Sequence, residues 1–253
     1  MPSAVSDDSA VTLFIRKYLL FPIFTVCMAA SGFIAYYSYT RYPIPMIGEL
    51  ALQYEWLLLV MCACVLIFVM GASVNGSIAG ILVDDRYRMS LSRTQFVIWI
   101  VVISSAFLVQ SMRNTGRDGS TPSLPIGVQI LLGFVFCTPI VNAFISFMKN
   151  AAILRFDRIG KLSRRDFSRN AQFSDLIFGE EIQTNRILTF SRVQFLLINV
   201  LSAILYSGSI WISFEHPVGD TLPEVNKTLL YVQAASHSTY LAFKLVPKRR
   251  RPL

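Results

Sequence analysis

Five stretches of this 253-residue chain carry no charged side chain and are long enough to cross a bilayer: 18–40, 56–83, 94–112, 119–148 and 193–214. A hydrocarbon core about 30 Å thick takes roughly 20 apolar residues at about 1.5 Å each, and within it every backbone N–H and C=O must be bonded internally. Such a pattern excludes an ordinary soluble domain and predicts an all-α membrane bundle. Composition agrees, with 54% hydrophobic and 15% charged residues. A sixth run, 228–243, is shorter and polar in its middle, and spans only if Lys227 and Lys244 reach back to the headgroups.

Charge placement argues for the sixth span. Lys and Arg collect in cytoplasmic loops. With six spans and a cytoplasmic N-terminus, 19 of the 23 cationic residues face inward, and Arg41, Arg113, Arg117 and Lys227 remain outside. Five spans would strand the tail Lys248-Arg249-Arg250-Arg251 on the wrong face. The reading is therefore a six-helix bundle with both termini cytoplasmic, in a cell inner membrane. The net charge of +8 is assigned to topology and anionic lipid headgroups, contacted by Arg93, Arg192, Lys248, Arg249, Arg250 and Arg251, and not to nucleic acid.

Organisation along the chain follows. Residues 1–12 are expected to be a disordered tail and 13–83 to hold the first two helices, with 41–45 as an outer connection. Ala72, Gly76 and Gly80 recur every fourth residue and are expected to line one face of the second helix for close packing, a hinge or homo-oligomer contact being the sharper alternative. Residues 84–148 form a hairpin of helices, with Pro139 deep in its second member, where it withdraws one backbone donor. The basic loop 149–179 suits either a helix on the inner leaflet or a solvated hairpin; 180–246 form the second helical hairpin and 247–253 a basic tail.

The two hairpins open alike. Ser92-Arg93-Thr94-Gln95-Phe96 returns 99 positions later as Ser191-Arg192-Val193-Gln194-Phe195. Ser-x-x-Gln is the pattern of a capping box, so Ser92 with Gln95 and Ser191 with Gln194 are expected to cap their helices. Acidic pairs, Asp84-Asp85 and Glu180-Glu181, precede both, and Leu124-Pro125 and Leu222-Pro223 follow them. Matching signals in the same orientation predict a parallel duplication, related by an axis along the membrane normal.

The S-R-x-Q-F openings, together with Ser236-His237-Ser238-Thr239-Tyr240-Leu241-Ala242-Phe243-Lys244 in the last helix, resemble a loose group of uncharacterised bacterial multi-pass inner-membrane proteins ending in S-H-x-x-Y-L-x-x-K. The resemblance covers about the last 170 residues. It implies a bacterial inner membrane and brings no activity with it.

Polar residues within the spans are the remaining candidates for function. Asn199 lies in the fifth run, and Gln233, Ser236, His237 and Tyr240 share one face of the sixth. Such a face must find partners in the bundle or line water. Interhelical bonding is the preferred reading, and a proton or ion path past Asn199, Gln233 and His237 the alternative. With two histidines at opposite ends of the last hairpin, and Glu215, His216 and Asp220 scattered on a loop, no metal or cofactor is expected. The four cysteines fall within spans and imply no disulfide framework. The expectation is a non-enzymatic anchor, scaffold or membrane subunit of a larger assembly, with a channel or transporter subunit, or a membrane-permeabilising effector, as alternatives.

Overall fold

The computed structural model describes residues 22, 26, 29, 45–75, 77, 79–117, 121–153, 171–181, 187–215 and 220–246. The expected disordered tail, nearly all of the first expected span, the centre of the basic loop and the basic C-terminal tail with Lys248, Arg249, Arg250 and Arg251 lie outside them; Pro22, Val26 and Ala29 are helical and exposed.

Among the described residues there are five α-helices and no strand: α1 (Pro45–Asn75), α2 (Leu91–Arg117), α3 (Ile126–Ile153), α4 (Phe190–Glu215) and α5 (Lys227–Leu245). Four contain stretches long and apolar enough to cross a membrane: Leu52–Ser73, Leu91–Thr115, Ile126–Lys149 and Phe190–Glu215. The chain is thus an all-helical protein of membrane-spanning type. The 19-residue α5 is not among the four; its start is capped by Asn226, whose side chain accepts from the Thr228 N–H at 2.8 Å.

Several expected boundaries move. Pro45 is the first residue of α1 and not part of a connection, a place where its missing N–H is no loss. The same helix ends at Asn75, so the Ala72–Gly80 stripe is not one helix face: Ala72 is helical, Gly80 opens a 3-10 turn (Gly80–Leu82), and Gly76 lies outside the described residues. Close backbone approach is found instead at Gly127, where an added Cβ would lie 3.1 Å from the Val225 oxygen and 3.3 Å from its Cβ. Gly127→Val is expected to cost about 1–3 kcal/mol through overpacking, measured as a lower unfolding midpoint in detergent.

Pro139 sits inside α3 as expected. A proline there leaves the carbonyl four residues earlier without its helical donor. That carbonyl is Val135 O, and the Gln95 Nε2 of α2 donates to it at 3.4 Å. The glutamine thus repairs what the proline breaks. Gln95→Leu is expected to cost about 1–2 kcal/mol in the native chain and markedly less beside Pro139→Ala. A double-mutant cycle reads the difference, and equal costs in both backgrounds would remove the link.

The chain divides into two compact units. The first comprises 1–81, 101–123 and 209–222. Within it Trp56 Nε1 donates to Ser105 Oγ at 3.0 Å, Gln53 Nε2 to the Trp211 carbonyl at 3.2 Å, and Asn114 Nδ2 to the Asp220 carbonyl at 2.8 Å. Trp56 also meets Phe214 edge to face.

The second unit, 82–100, 124–208 and 223–253, holds both pentapeptides. Each helix opening is preceded by a small antiparallel bridge, Val83 with Met89 and Phe178 with Leu188. Their bonds correspond: Ser90 N to Leu82 O matches Thr189 N to Ile177 O, and Asp84 N to Arg88 O matches Gly179 N to Ile187 O. Facing contacts also join positions 98 to 100 apart, namely Gly127 with Val225, Thr138 with His237 and Trp99 with Asn199. A constant interval means that α3 and α5 run parallel. The interval nearly equals the 99 residues between the pentapeptides.

Candidate functional site: an ion-pair cluster and a buried polar seam

The bridges that precede α2 and α4 bring acidic and basic side chains to one end of the second unit. Asp84 shapes the first turn, its Oδ1 accepting from the N–H groups of Arg86 and Arg88 at 3.0 and 3.2 Å, with Tyr87 at φ 57 between them. The Arg86 guanidinium reaches Asp84 Oδ2 at 2.7 Å through Nε and Glu180 Oε2 at 3.1 Å through Nη1. Arg192 donates from Nε to Leu176 O at 2.9 Å, from Nη2 to Asp175 O at 2.8 Å and from Nη1 to Glu180 Oε1 at 2.6 Å. Lys244, in the last turn of α5, lies 2.9 and 2.7 Å from the two Glu180 oxygens. Glu180 therefore holds three cations, from the first bridge, from α4 and from α5. Lys149 of α3 pairs with Glu181 at 2.6 Å and Arg88 with Asp175 at 3.4 Å.

Burial alone would push the Glu180 carboxyl up; Lys244, Arg192 and Arg86 outweigh it and hold the group well below the usual carboxylate range. Burial would likewise lower Arg86, but Glu180 and Asp84 raise it above its ordinary value. Glu180 and Arg86 thus each favour the charged form of the other.

Arg192, expected at the headgroups, is buried and fully engaged. Arg93 of the first pentapeptide is the more exposed of the two, 3.5 Å from Asp85. One member of each acidic pair, Asp85 and Glu180, thus faces a pentapeptide arginine.

Ser92 and Gln95 do not form the expected capping box. The helix begins one residue before Ser92, and the Thr94 N–H bonds to the Ser90 carbonyl. Ser92 Oγ accepts from Asn142 Nδ2 of α3 at 2.8 Å, and Gln95 reaches Val135. At the second opening, the Arg192 and Val193 N–H groups bond to the Thr189 carbonyl, so Ser191 too lies inside its helix; Gln194 is half-buried. The four pentapeptide positions are helical, and two of them tie α2 to α3.

A polar seam runs inward from the cluster along α5. Gln233, Ser236, His237 and Tyr240 are 0, 2, 3 and 3% exposed. His237 Nδ1 meets Thr138 Oγ1, whose own proton goes to the Phe134 carbonyl at 2.8 Å. Thr138 can therefore only accept, which assigns the donor hydrogen to Nδ1 and leaves Nε2 as an acceptor. That nitrogen, both amide atoms of Gln233, Ser236 Oγ and Tyr240 Oη have no protein partner. Tyr240 stacks on Phe195 with centroids 4.5 Å apart, and Phe195 meets His237 edge to face at 4.9 Å. Asn199 stands apart from this seam, satisfied by Trp99 Nε1 at 3.1 Å and by the Phe195 carbonyl at 2.8 Å.

Among the described residues no group of His, Cys, Asp and Glu has the arrangement of a metal site. Comparison with known proteins yields no match: no family model, no curated protein and no solved structure is similar to this chain. The helices alone define its class, that of multi-pass membrane proteins built from α-helices.

Proposed function

We propose that this protein is a non-enzymatic anchor, scaffold or membrane subunit of a larger assembly in a bacterial inner membrane, crossing it six times with both ends in the cytoplasm. In this reading α2–α3 and α4–α5 are parallel copies of one hairpin. The matching bridges, and facing contacts at intervals close to 99 residues, support that duplication. The single observation that carries the scaffold reading is Glu180. One carboxylate fastens three separate parts of the chain at one end of the second unit, which suits a rigid platform better than a moving gate. Copy-number measurement after purification from native membranes in mild detergent tests it. A defined complex that survives purification of the native chain and is lost in Glu180→Gln supports the reading; a lone monomer contradicts it.

A second reading rests on its own observation, the unpartnered polar atoms of Gln233, Ser236, His237 and Tyr240. Polar groups that find no partner in a bundle interior take up water, and a hydrated seam would make the protein a small ion or solute channel. Proton or ion flux into liposomes containing the purified protein, lost in His237→Ala, would establish this path in place of the scaffold. Liposomes that stay sealed would exclude it.

A further inference from the structure

A cavity of about 40 Å³ lies where the ion-pair cluster meets the polar seam, walled by Lys149, Glu180, Glu181, Ser191, Arg192 and Tyr240, with Phe243 and Lys244 beside them. One water needs about 10–15 Å³ by the same measure, so the space takes a group larger than a single water.

Its wall carries three cations against two carboxylates, and one of those carboxylates, Glu180, is shared with Arg86 as well. Over the wider cluster, Arg86, Arg88, Lys149, Arg192 and Lys244 face Asp84, Asp175, Glu180 and Glu181. Among the described residues the balance is one positive charge, in a place where uncompensated charge is costly. Donors remain as well. An ammonium carries three N–H groups, of which Lys149 directs one to Glu181 and Lys244 directs its bonds to Glu180. The Tyr240 hydroxyl, on a side chain 3% exposed, has no acceptor.

Position points to the source of an anion that this wall would accept. Lys149 ends the apolar stretch of α3, Ser191 and Arg192 begin that of α4, and Lys244 closes α5. The cavity is therefore at the depth where hydrocarbon gives way to headgroups. Phe243 of its wall is 55% exposed, and Phe190, Leu245 and Val246 near the same helix ends are exposed too. An apolar rim around a cationic hollow suits a phosphate that arrives with acyl chains attached.

We propose that this cavity seats the phosphate of an anionic phospholipid, bound by the ammonium groups of Lys149 and Lys244 and by the Tyr240 hydroxyl. The proposal rests on the membrane reading of the bundle, and the two fail differently. A chain released from membranes by alkaline carbonate would refute the membrane reading, whereas a retained chain without lipid preference would refute only the site.

The test uses the full chain in detergent, with phosphatidylglycerol, phosphatidylcholine or inorganic phosphate added, read by native mass spectrometry and by the unfolding midpoint. Phosphatidylglycerol is expected to remain bound and to raise the midpoint, with retention falling roughly tenfold in Tyr240→Phe, the loss of about one charge-assisted hydrogen bond. That substitution keeps the ring on Phe195, and Lys227→Gln at the far end of α5 is expected to change nothing. Equal retention of phosphatidylcholine, full stabilisation by inorganic phosphate, or a Tyr240→Phe variant that binds like the native chain would each overturn the proposal.

Discussion

Replacing Glu180 by Gln is expected to cost the bundle about 3–5 kcal/mol, because it leaves Arg86, Arg192 and Lys244 close together without their common counter-charge. The substitution keeps the shape of the side chain, so the loss measures charge and not packing. Combining it with Lys244→Met should recover part of the stability by removing one stranded cation, a coupling that a double-mutant cycle in detergent can read. The pH dependence has a definite sign. Because the folded state holds this carboxyl well below its ordinary range, its contribution is complete above the unfolded value and is lost as pH falls through the folded one. The gap in unfolding midpoint between the native chain and Glu180→Gln should persist from neutral pH down to about pH 5 and close only in stronger acid. A gap of under about 1 kcal/mol at neutral pH would mean that the cluster is screened like a surface pair.

Gln233→Leu should act in the opposite direction. The amide is completely buried, and neither of its polar atoms has a protein partner. Burying an unbonded amide costs about 1–3 kcal/mol as judged from protein mutations. An apolar side chain of similar volume is therefore expected to raise stability by about that amount. If the seam is dry, the gain appears with no change in assembly or permeability. If water fills the seam and bonds the amide, the substitution destabilises instead, and the channel reading gains at the expense of the scaffold. Denaturant unfolding in the same detergent, paired with liposome flux, separates the two.

These two residues also show what the sequence could and could not reveal. Charge-free runs of membrane length locate α1 to α4, because lipid demands both apolar side chains and a closed backbone. The pentapeptides mark where α2 and α4 start to within a residue. The roles of their members were not legible. Gln95 is needed because Pro139, more than 40 positions later, frees a carbonyl within its reach. Arg192 is drawn inward by two backbone carbonyls and a glutamate that only the folded bridge supplies. Local spacing suggested a cap and a headgroup contact; long-range partners decided otherwise. The seam on α5 was readable from its helical spacing, since Gln233, Ser236, His237 and Tyr240 fall on one side of any α-helix. That their polar atoms would lack partners was not, because this depends on the apolar surfaces of Phe195 and Phe134 packed against them. The spacing of Ala72, Gly76 and Gly80 did not reveal that the helix carrying Ala72 ends at Asn75.

The account depends most on both helix openings, and the Glu180 cluster beside them, lying on the cytoplasmic face. Single cysteines at Asp85, Ile187, Thr121 and Glu224, placed in a chain from which Cys27, Cys62, Cys64 and Cys137 have been removed, can be labelled in intact cells with a membrane-impermeant maleimide. The expected pattern is protection of the first two until the membrane is permeabilised and immediate labelling of the last two. Labelling of Asp85→Cys and Ile187→Cys from opposite faces, or of both from outside, would contradict the parallel six-span arrangement.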